Sequence, residues 1–348
     1  CNLKYFRNGT TDKTIMTRIN SSWYYFGGTA IEIINNLNTS NGYFYGASSL
    51  TTIKNSKINI PGGEVFRNTK IYYLDDTVTL TYDTTSSTKS LALCFYGSSN
   101  ISMNAVKKVL KTVTDKPTNL QRFLFNAQFK DNSDRIINES LFDNINVSNA
   151  DLLFASSNII SVTKRLFKTN NNIISGQGLF KSCTSLTNLS SDSLPNIFTD
   201  LRGGFYNCTS LYQPPSISNL TNLTNVDGLF CGCSQLQYSM KNLTKNILDT
   251  SDSNYISPKH ATSNNKEGDF YLISTYPLIN LTTAVGMYYN TKIKGVSEIT
   301  VSGDGTTIAQ SCFPEKYFKN NTKLKKLIGM FQHCSNITTI LPNNFIDS

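Results

Sequence analysis

The chain has little charge for its length. Of 348 residues only 16% are Asp, Glu, Lys or Arg, so Asn, Ser and Thr must carry the polar surface. A surface of that kind recognises partners through neutral hydrogen bonds more than through ion pairs. There are two histidines and one tryptophan. His260 and His333 have no Cys or carboxylate partner at the spacing a metal site or a catalytic triad uses, which makes both surface or rim residues. The Gly-x-Ser-x-Gly elbow, the P-loop and His-Glu-x-x-His are absent. The nearest carboxylate pair, Asp75-Asp76, precedes the alternating run Val78 to Tyr82 and reads as a turn, while Asp200 and Asp227 read as acceptors for backbone amides. These gaps point away from an enzyme and away from any cofactor or metal. A carbohydrate-active enzyme whose carboxylates meet only on folding stays open as an alternative. No apolar run reaches the ~18–20 residues of a membrane-spanning helix, and no signal-peptide pattern stands at the start.

What the chain does have is a recurring phrase, Phe-x-x-Cys-x-x-Leu/Ile. It appears as Phe180/Cys183/Leu186, Phe205/Cys208/Leu211, Phe230/Cys233/Leu236 and Phe331/Cys334/Ile337. The first three phenylalanines are 25 residues apart, a period that signals stacked repeats. With a small or polar residue allowed in the Cys slot, the register extends to Phe154 (Ser157), Phe129 (Asn132), Phe95 (Ser98) and Phe44 (Ala47). A second phrase lies between these rungs, seen at Tyr317-Phe318, Val65-Phe66, Leu194-Pro195-Asn196-Ile197-Phe198 and Leu341-Pro342-Asn343-Asn344-Phe345.

Phe-x-x-Cys-x-Ser-Leu-x-x-Leu/Ile followed by Leu-Pro-x-x-Phe resembles the BspA-like leucine-rich repeat family of bacterial surface proteins, protist surface antigens and phage adhesion proteins. The likeness is strong over 120–243 and 311–348, weaker over 40–105, and absent over 244–285. It implies a repeat scaffold that binds other macromolecules, and it names no ligand.

The residues themselves carry the architecture. Phe and Cys three apart face inward together on one turn of α- or 3-10 helix, and the short Leu-x-x-Leu/Ile stretch fits one strand per coil, laid parallel on the next. The expected fold is therefore a repeat solenoid of leucine-rich-repeat-like coils of about 25 residues, mostly β and irregular. Divergent repeats occupy 1–119, with a β-hairpin-like interruption near 66–94 where Ile71–Leu74 and Val78–Tyr82 flank Asp75-Asp76. Regular repeats fill 120–243, a loop rich in Ser, Asn, Asp and Lys is inserted at 244–285, and repeats resume over 286–348. Both ends fall inside a repeat, so the chain reads as a piece of a longer protein. Cys1 also admits a second reading, as the lipidated cysteine of a processed lipoprotein.

Eight cysteines would suggest disulfides in a secreted chain. Cys183, Cys208, Cys233 and Cys334 instead share one slot that Ala, Ser and Asn fill elsewhere, the behaviour of a small buried packing position. Cys231-Gly-Cys233 lacks the spacing and the second pair of a zinc site. The net charge of +9 gathers at Lys107, Lys108 and Lys111 and again at Lys316, Lys319, Lys323, Lys325 and Lys326. Those clusters read first as solvated faces and second as contacts for an acidic glycan or anionic surface, with nucleic acid not expected. Sequons such as Asn188, Asn207, Asn219, Asn222, Asn242 and Asn280 arise readily in so Asn-rich a chain. The aromatic run Trp23-Tyr24-Tyr25-Phe26 reads as a packed end of the core, or as a glycan-stacking platform.

The functional expectation is a non-enzymatic adhesion scaffold that binds protein or glycan on a host surface. It would be extracellular, on a cell or on a virion as part of a phage tail fibre, or else a structural protein that self-associates through its ends. The candidate ligand face consists of the residues between the strand anchors: Thr187 and Asn188, Tyr212 and Gln213, Gln237 and Tyr238, Thr338 and Thr339. The structural rungs are Phe180, Cys183, Phe205, Cys208, Phe230, Cys233, Phe331 and Cys334.

Overall fold

The computed structural model describes residues 44–236 and 278–337 with short breaks, and beyond these the backbone of strands Phe6–Arg7, Ile15–Ile19, Ser22–Phe26 and Ile31–Ile33. The described residues are mostly short strands and irregular backbone with one α-helix, Met103–Leu110, and they form no closed barrel. Most strand pairing is parallel. Ile136–Ile137 pairs with Ser161–Val162, which pairs with Asn188–Leu189, so that Ile136, Ser161 and Asn188 stand in line. Lys89–Ser90, Pro117–Asn119 and Asn146–Asn149 make a second parallel set. Antiparallel pairs occur between Phe6–Arg7 and Ile31–Ile33, between Ile15–Ile19 and Ser22–Phe26, and between Val296–Thr300 and Thr307–Ser311. The aromatic run Trp23–Phe26 thus belongs to a hairpin strand.

The turn segments do as much as the strands to hold the molecule together. Around Phe180, alternate amides have different partners. Gly176, Gly178, Phe180 and Ser182 donate to the carbonyls of Asp200, Arg202, Gly204 and Tyr206 in the next layer at 2.6–2.9 Å. Leu179, Lys181 and Cys183 donate three residues back, to Gly176, Gly178 and Phe180, at 2.9–3.1 Å. Every amide of the segment is thereby paired, half within the turn and half between layers, as buried backbone requires. Left-handed residues flank the phenylalanine, Gly178 at φ +62° and Ser182 at φ +59°. They divide the segment into successive β-turns, so Phe and Cys are brought to one side by a turn ladder and not by the helical or 3-10 turn expected from their spacing.

The rung residues stack along this ladder. Phe44 lies on Phe66 and Phe66 on Phe95 at 5.5 and 5.6 Å. Phe154, Phe180, Phe205, Phe230, Tyr288 and Phe331 continue at 5.1–5.7 Å with nearly parallel rings. Two sequence assignments are corrected here. Phe66 was placed in the second phrase, yet its amide donates to Cys94 and its ring is a rung. Phe129, a rung by spacing, gives way to Leu124, which donates to Leu153 as Phe154 donates to Leu179 and puts Ala127, not Asn132, in the small slot. Phe129 is a strand residue in Gln128–Phe129. Rung spacing therefore runs 22, 29, 29, 30, 26, 25 and 25 residues from Phe44 to Phe230, and then 58 and 43 to Tyr288 and Phe331. A second aromatic set lies beside the first, Phe142 stacked on Phe167 at 5.1 Å and Phe167 edge-on to Phe198 at 6.0 Å.

The expected hairpin near 66–94 does not form. Tyr73–Leu74 pairs parallel with Thr52–Lys54, and Thr79–Tyr82 pairs parallel with Lys57–Ile60. Asp75-Asp76 does make a turn, closed by the Val78 amide on the Asp75 carbonyl at 2.9 Å. The helix Met103–Leu110 occupies the added length between Phe95 and Leu124; the Ser102 hydroxyl caps it, and Ala105, Val106 and Val109 are fully buried. After the long gap, layering has resumed by Leu278, inside the span read as an insert: Leu278 and Leu281 are buried, and the Val226 amide donates to Thr283. Residues 237–277 and 338–348 lie outside the described set.

Candidate functional site

The slot three residues after the rung holds a hydroxyl or thiol in most described layers, the layer of Leu124 having Ala127 there instead. Cys183, Cys208, Cys233 and Cys334 direct their Sγ at the carbonyls of Phe154, Phe180, Phe205 and Tyr288 in the preceding layer, at 2.8–3.0 Å. Ser98 does the same to Phe66 at 2.5 Å, and Thr69 and Thr291 use the carbonyl of their own rung. The carbonyls of Phe154, Phe180 and Phe205 already accept the amides of Ser157, Cys183 and Cys208, so the thiol satisfies the second lone pair, while those of Phe66 and Tyr288 accept two side chains each, Thr69 with Ser98 and Thr291 with Cys334. That accounts for Cys, Ser and Thr exchanging there while larger residues do not. The thiols are free. Burial pushes Cys94, Cys183 and Cys233 up to about 12 and raises Cys208 as well. They are packing residues without nucleophilic character. Cys231 is half-buried and outside this column. Cys1 and Cys312 lie outside the described residues.

The carboxylates of the layers are committed to backbone. Asp200 Oδ1 accepts the Arg202 amide at 3.0 Å, as Asn119, Asn149 and Asn225 accept the amides two residues on at 2.8–2.9 Å. Where Ser175 and Thr283 take the same place, the preceding layer's acid substitutes. Asp151 accepts from Ser175 and from the Gln177 amide, and Asp227 from Thr283 and the Val285 amide. Asn side chains also bridge layers elsewhere: Asn158 closes a two-way bond with the Phe129 backbone, and Asn222 and Asn280 donate to Asn196 and Thr221. Much of the Asn content is thus structural, the two sequon residues Asn222 and Asn280 included.

Of the predicted ligand face, Thr187, Asn188 and Tyr212 are described, and Gln213, Gln237, Tyr238, Thr338 and Thr339 lie outside the described residues. Thr187 and Asn188 are exposed and Tyr212 is 40% exposed. The Tyr212 amide donates to Thr187, Thr187 to Ile160 and Ile160 to Arg135, so these four residues form one column across four layers.

The basic clusters divide. Lys107 pairs with Glu139, and Lys108 pairs with Asp76 and the Asp75 carbonyl. Lys323, Lys325 and Lys326 are exposed in the last described layer, where Lys323 Nζ donates to Asn280 at 2.7 Å; Lys316 and Lys319 lie outside the described residues. Beside the helix, Asp134 accepts the Met103 amide at 3.0 Å, and the Tyr72 hydroxyl donates to Asp131 at 2.7 Å. That bond, with the negative charge behind it, raises the Tyr72 pKa.

A further surface feature escaped the sequence reading. The residue after the rung is at least partly exposed in every described layer but that of Phe154, where Ala155 is buried, and in the first four layers these residues form a stack. The Arg67 guanidinium lies between the rings of Tyr45 and Tyr96 at 5.0 and 4.8 Å, and Tyr96 lies flat on Phe125 at 4.9 Å. Glu64 holds Arg67 from the side at 3.1 Å. The signal was present in the sequence, since all four follow a rung. It was hidden because Phe66 and Leu124 were not recognised as rungs.

Among the described residues no group of three or more His, Cys, Asp or Glu is placed to hold a metal ion, and no helix is long and apolar enough to cross a membrane. No family model, curated protein or solved structure matches the chain.

Proposed function

We propose that the chain is a solenoid recognition scaffold related to the BspA-like leucine-rich repeats. In this reading it is displayed on a cell or virion surface and binds protein or glycan there without catalysing a reaction. The observation that carries the reading is the repetition of outward side chains in columns one layer apart. Tyr45, Arg67, Tyr96 and Phe125 form one column on the turns, and Arg135, Ile160 and Thr187, each just before a strand, form another with Tyr212. Layer-to-layer backbone bonds hold such columns in fixed register, so many weak contacts are presented without an ordering cost at binding, and copies on one surface multiply the avidity. The commitment of Asp151, Asp200 and Asp227 to backbone amides favours a binding role over a hydrolytic one.

Binding of the folded chain to a glycan array and to intact cells tests the reading. Saturable binding that is weakened by Tyr212→Ala or by Tyr96→Ala is expected. A folded, monodisperse chain that binds no cell and no glycan, or one that cleaves a glycan on the array, would overturn it.

A further inference from the structure

One column of the turn face puts leucine, arginine and glutamate at a left-handed position, whereas the other left-handed positions among the described residues hold Gly, Asn, Ser or His. Two residues before each rung the backbone is left-handed in nine layers. In the later five the residue is glycine: Gly178, Gly203, Gly228, Gly286 and Gly329, at φ +58° to +64°. In the earlier four it is Glu64, Leu93, Arg122 and Leu152, at φ +69°, +63°, +55° and +57°. A side chain is disfavoured there, and for leucine and arginine no local hydrogen bond offsets the strain as it can for Asn or Asp. Strain retained where glycine would relieve it marks a position whose side chain is needed.

Internal contacts explain two of the four. Glu64 holds Arg67. Leu152 fills the space over the next layer, where its Cδ2 would stand 2.5 Å from a Cβ at Gly178. Leu93 and Arg122 remain. Arg122 is exposed and no acid of the described residues pairs with it; the acids of this face are already engaged, Glu64 by Arg67 and Asp151 by Ser175 and the Gln177 amide. Leu93 is partly exposed one layer before it. Both belong to the turns that carry the Tyr45–Arg67–Tyr96–Phe125 stack, so the face sets tyrosine and arginine, which are enriched in protein-binding hot spots, beside an aliphatic side chain. A sugar platform needs open ring faces. Here Tyr96 has both faces covered, by Arg67 and by Phe125, and Tyr45 has one face against Arg67.

We infer that the turn face from Tyr45 to Arg122 docks an acidic segment of a protein partner, with a partner carboxylate on Arg122 and an apolar residue against Leu93. The inference rests on the recognition reading above and names its partner class. The test uses a displayed library of random peptides, panned on the parent chain and on the double variant Leu93→Gly/Arg122→Gly. The parent is expected to enrich peptides carrying Asp or Glu. The synthetic winning peptide should bind the variant at least tenfold more weakly, and an Asn/Gln version of it should bind the parent equally weakly. The variant's melting temperature should be unchanged or higher, because glycine relieves the left-handed backbone. Equal binding by the variant, enrichment without acidic residues, or no enrichment overturns the inference. A lower melting temperature would do the same, by making the two side chains packing residues. Cell or glycan binding that survives in the variant would leave the recognition reading standing while removing this face from it. Loss of all binding by the parent would remove both.

Discussion

The layers from Phe44 to Phe154 and those from Phe180 to Phe331 make the same backbone from different residues. The early layers are spaced 22 to 30 residues apart, carry a helix in one connection, put Glu, Leu and Arg at a left-handed position, and fill the small slot with Thr, Ser and Ala. The late layers begin with spacings of 25, put glycine at the left-handed position, and fill most small slots with Cys. What both halves keep is the turn and its layer-to-layer bonds, for example Phe66 to Cys94 at 3.0 Å and Phe205 to Leu229 at 2.9 Å. The backbone ladder, and not the Cys motif, defines a layer; the residue types are local solutions to it. Regularity in the late half means only that its connections have equal length.

If layers are equivalent, removing a rung should cost the same in either half. Phe205→Ala, between two stacked rings, and Phe95→Ala, stacked on Phe66 and edge-on to Phe123, are each expected to lose about 3–5 kcal/mol in denaturant unfolding. A loss confined to one half would break the equivalence.

The halves should part at high pH. Burial pushes the Cys183 and Cys233 thiols up to about 12, above the ordinary thiol value, so folding favours the protonated form. That stability is complete below the unfolded pKa and is lost as pH rises from about 9 to about 12. Cys183→Ser/Cys233→Ser should flatten the alkaline part of the stability curve, and thiol labelling of the native protein below pH 9 should reach Cys231 before Cys183, Cys208 or Cys233.

Glycine sharpens the comparison further. Gly178→Ala adds a clash with Leu152 at 2.5 Å to a left-handed backbone, whereas Gly203→Ala meets only Tyr206 Cβ at 3.6 Å. The second should cost roughly 1–2 kcal/mol from handedness alone, and the first more. Thermal melts of the two variants would rank them.

Two smaller effects complete the series. Cys208→Ser should fall within about 1 kcal/mol of the parent, because Ser98 already fills the same slot as a donor. Lys107→Ala breaks one surface pair with Glu139 and should change stability by about 0–1 kcal/mol, less in high salt.

The rungs at Phe154, Phe180, Phe205 and Phe230 were legible because equal spacing puts equal residues in register. Leu124 and Phe66 were not, because a helix or a short connection changes the count between layers without changing the layer. Thr187 and Tyr212 could be set in one column from their distance to the rung, and their amide bond follows that register. The Tyr45–Arg67–Tyr96–Phe125 stack could not, since its alignment depends on the two rungs that spacing concealed. The parallel pairing of Tyr73–Leu74 and Thr79–Tyr82 with earlier strands was equally hidden. Two alternating runs around a turn fit a hairpin as well as two strands of one layer laid on the layer before, and only contact with Thr52–Lys54 and Lys57–Ile60 separates them.

Taken alone, the sequence determined that Phe and a small donor recur together, that short strands pair in parallel, and that charge plays little part, because each is a local matter of spacing and composition. Tertiary structure decided which residues are neighbours across layers. An amide that points along the stack bonds to whatever layer comes next, however many residues lie between, and that distance is not written in any one repeat.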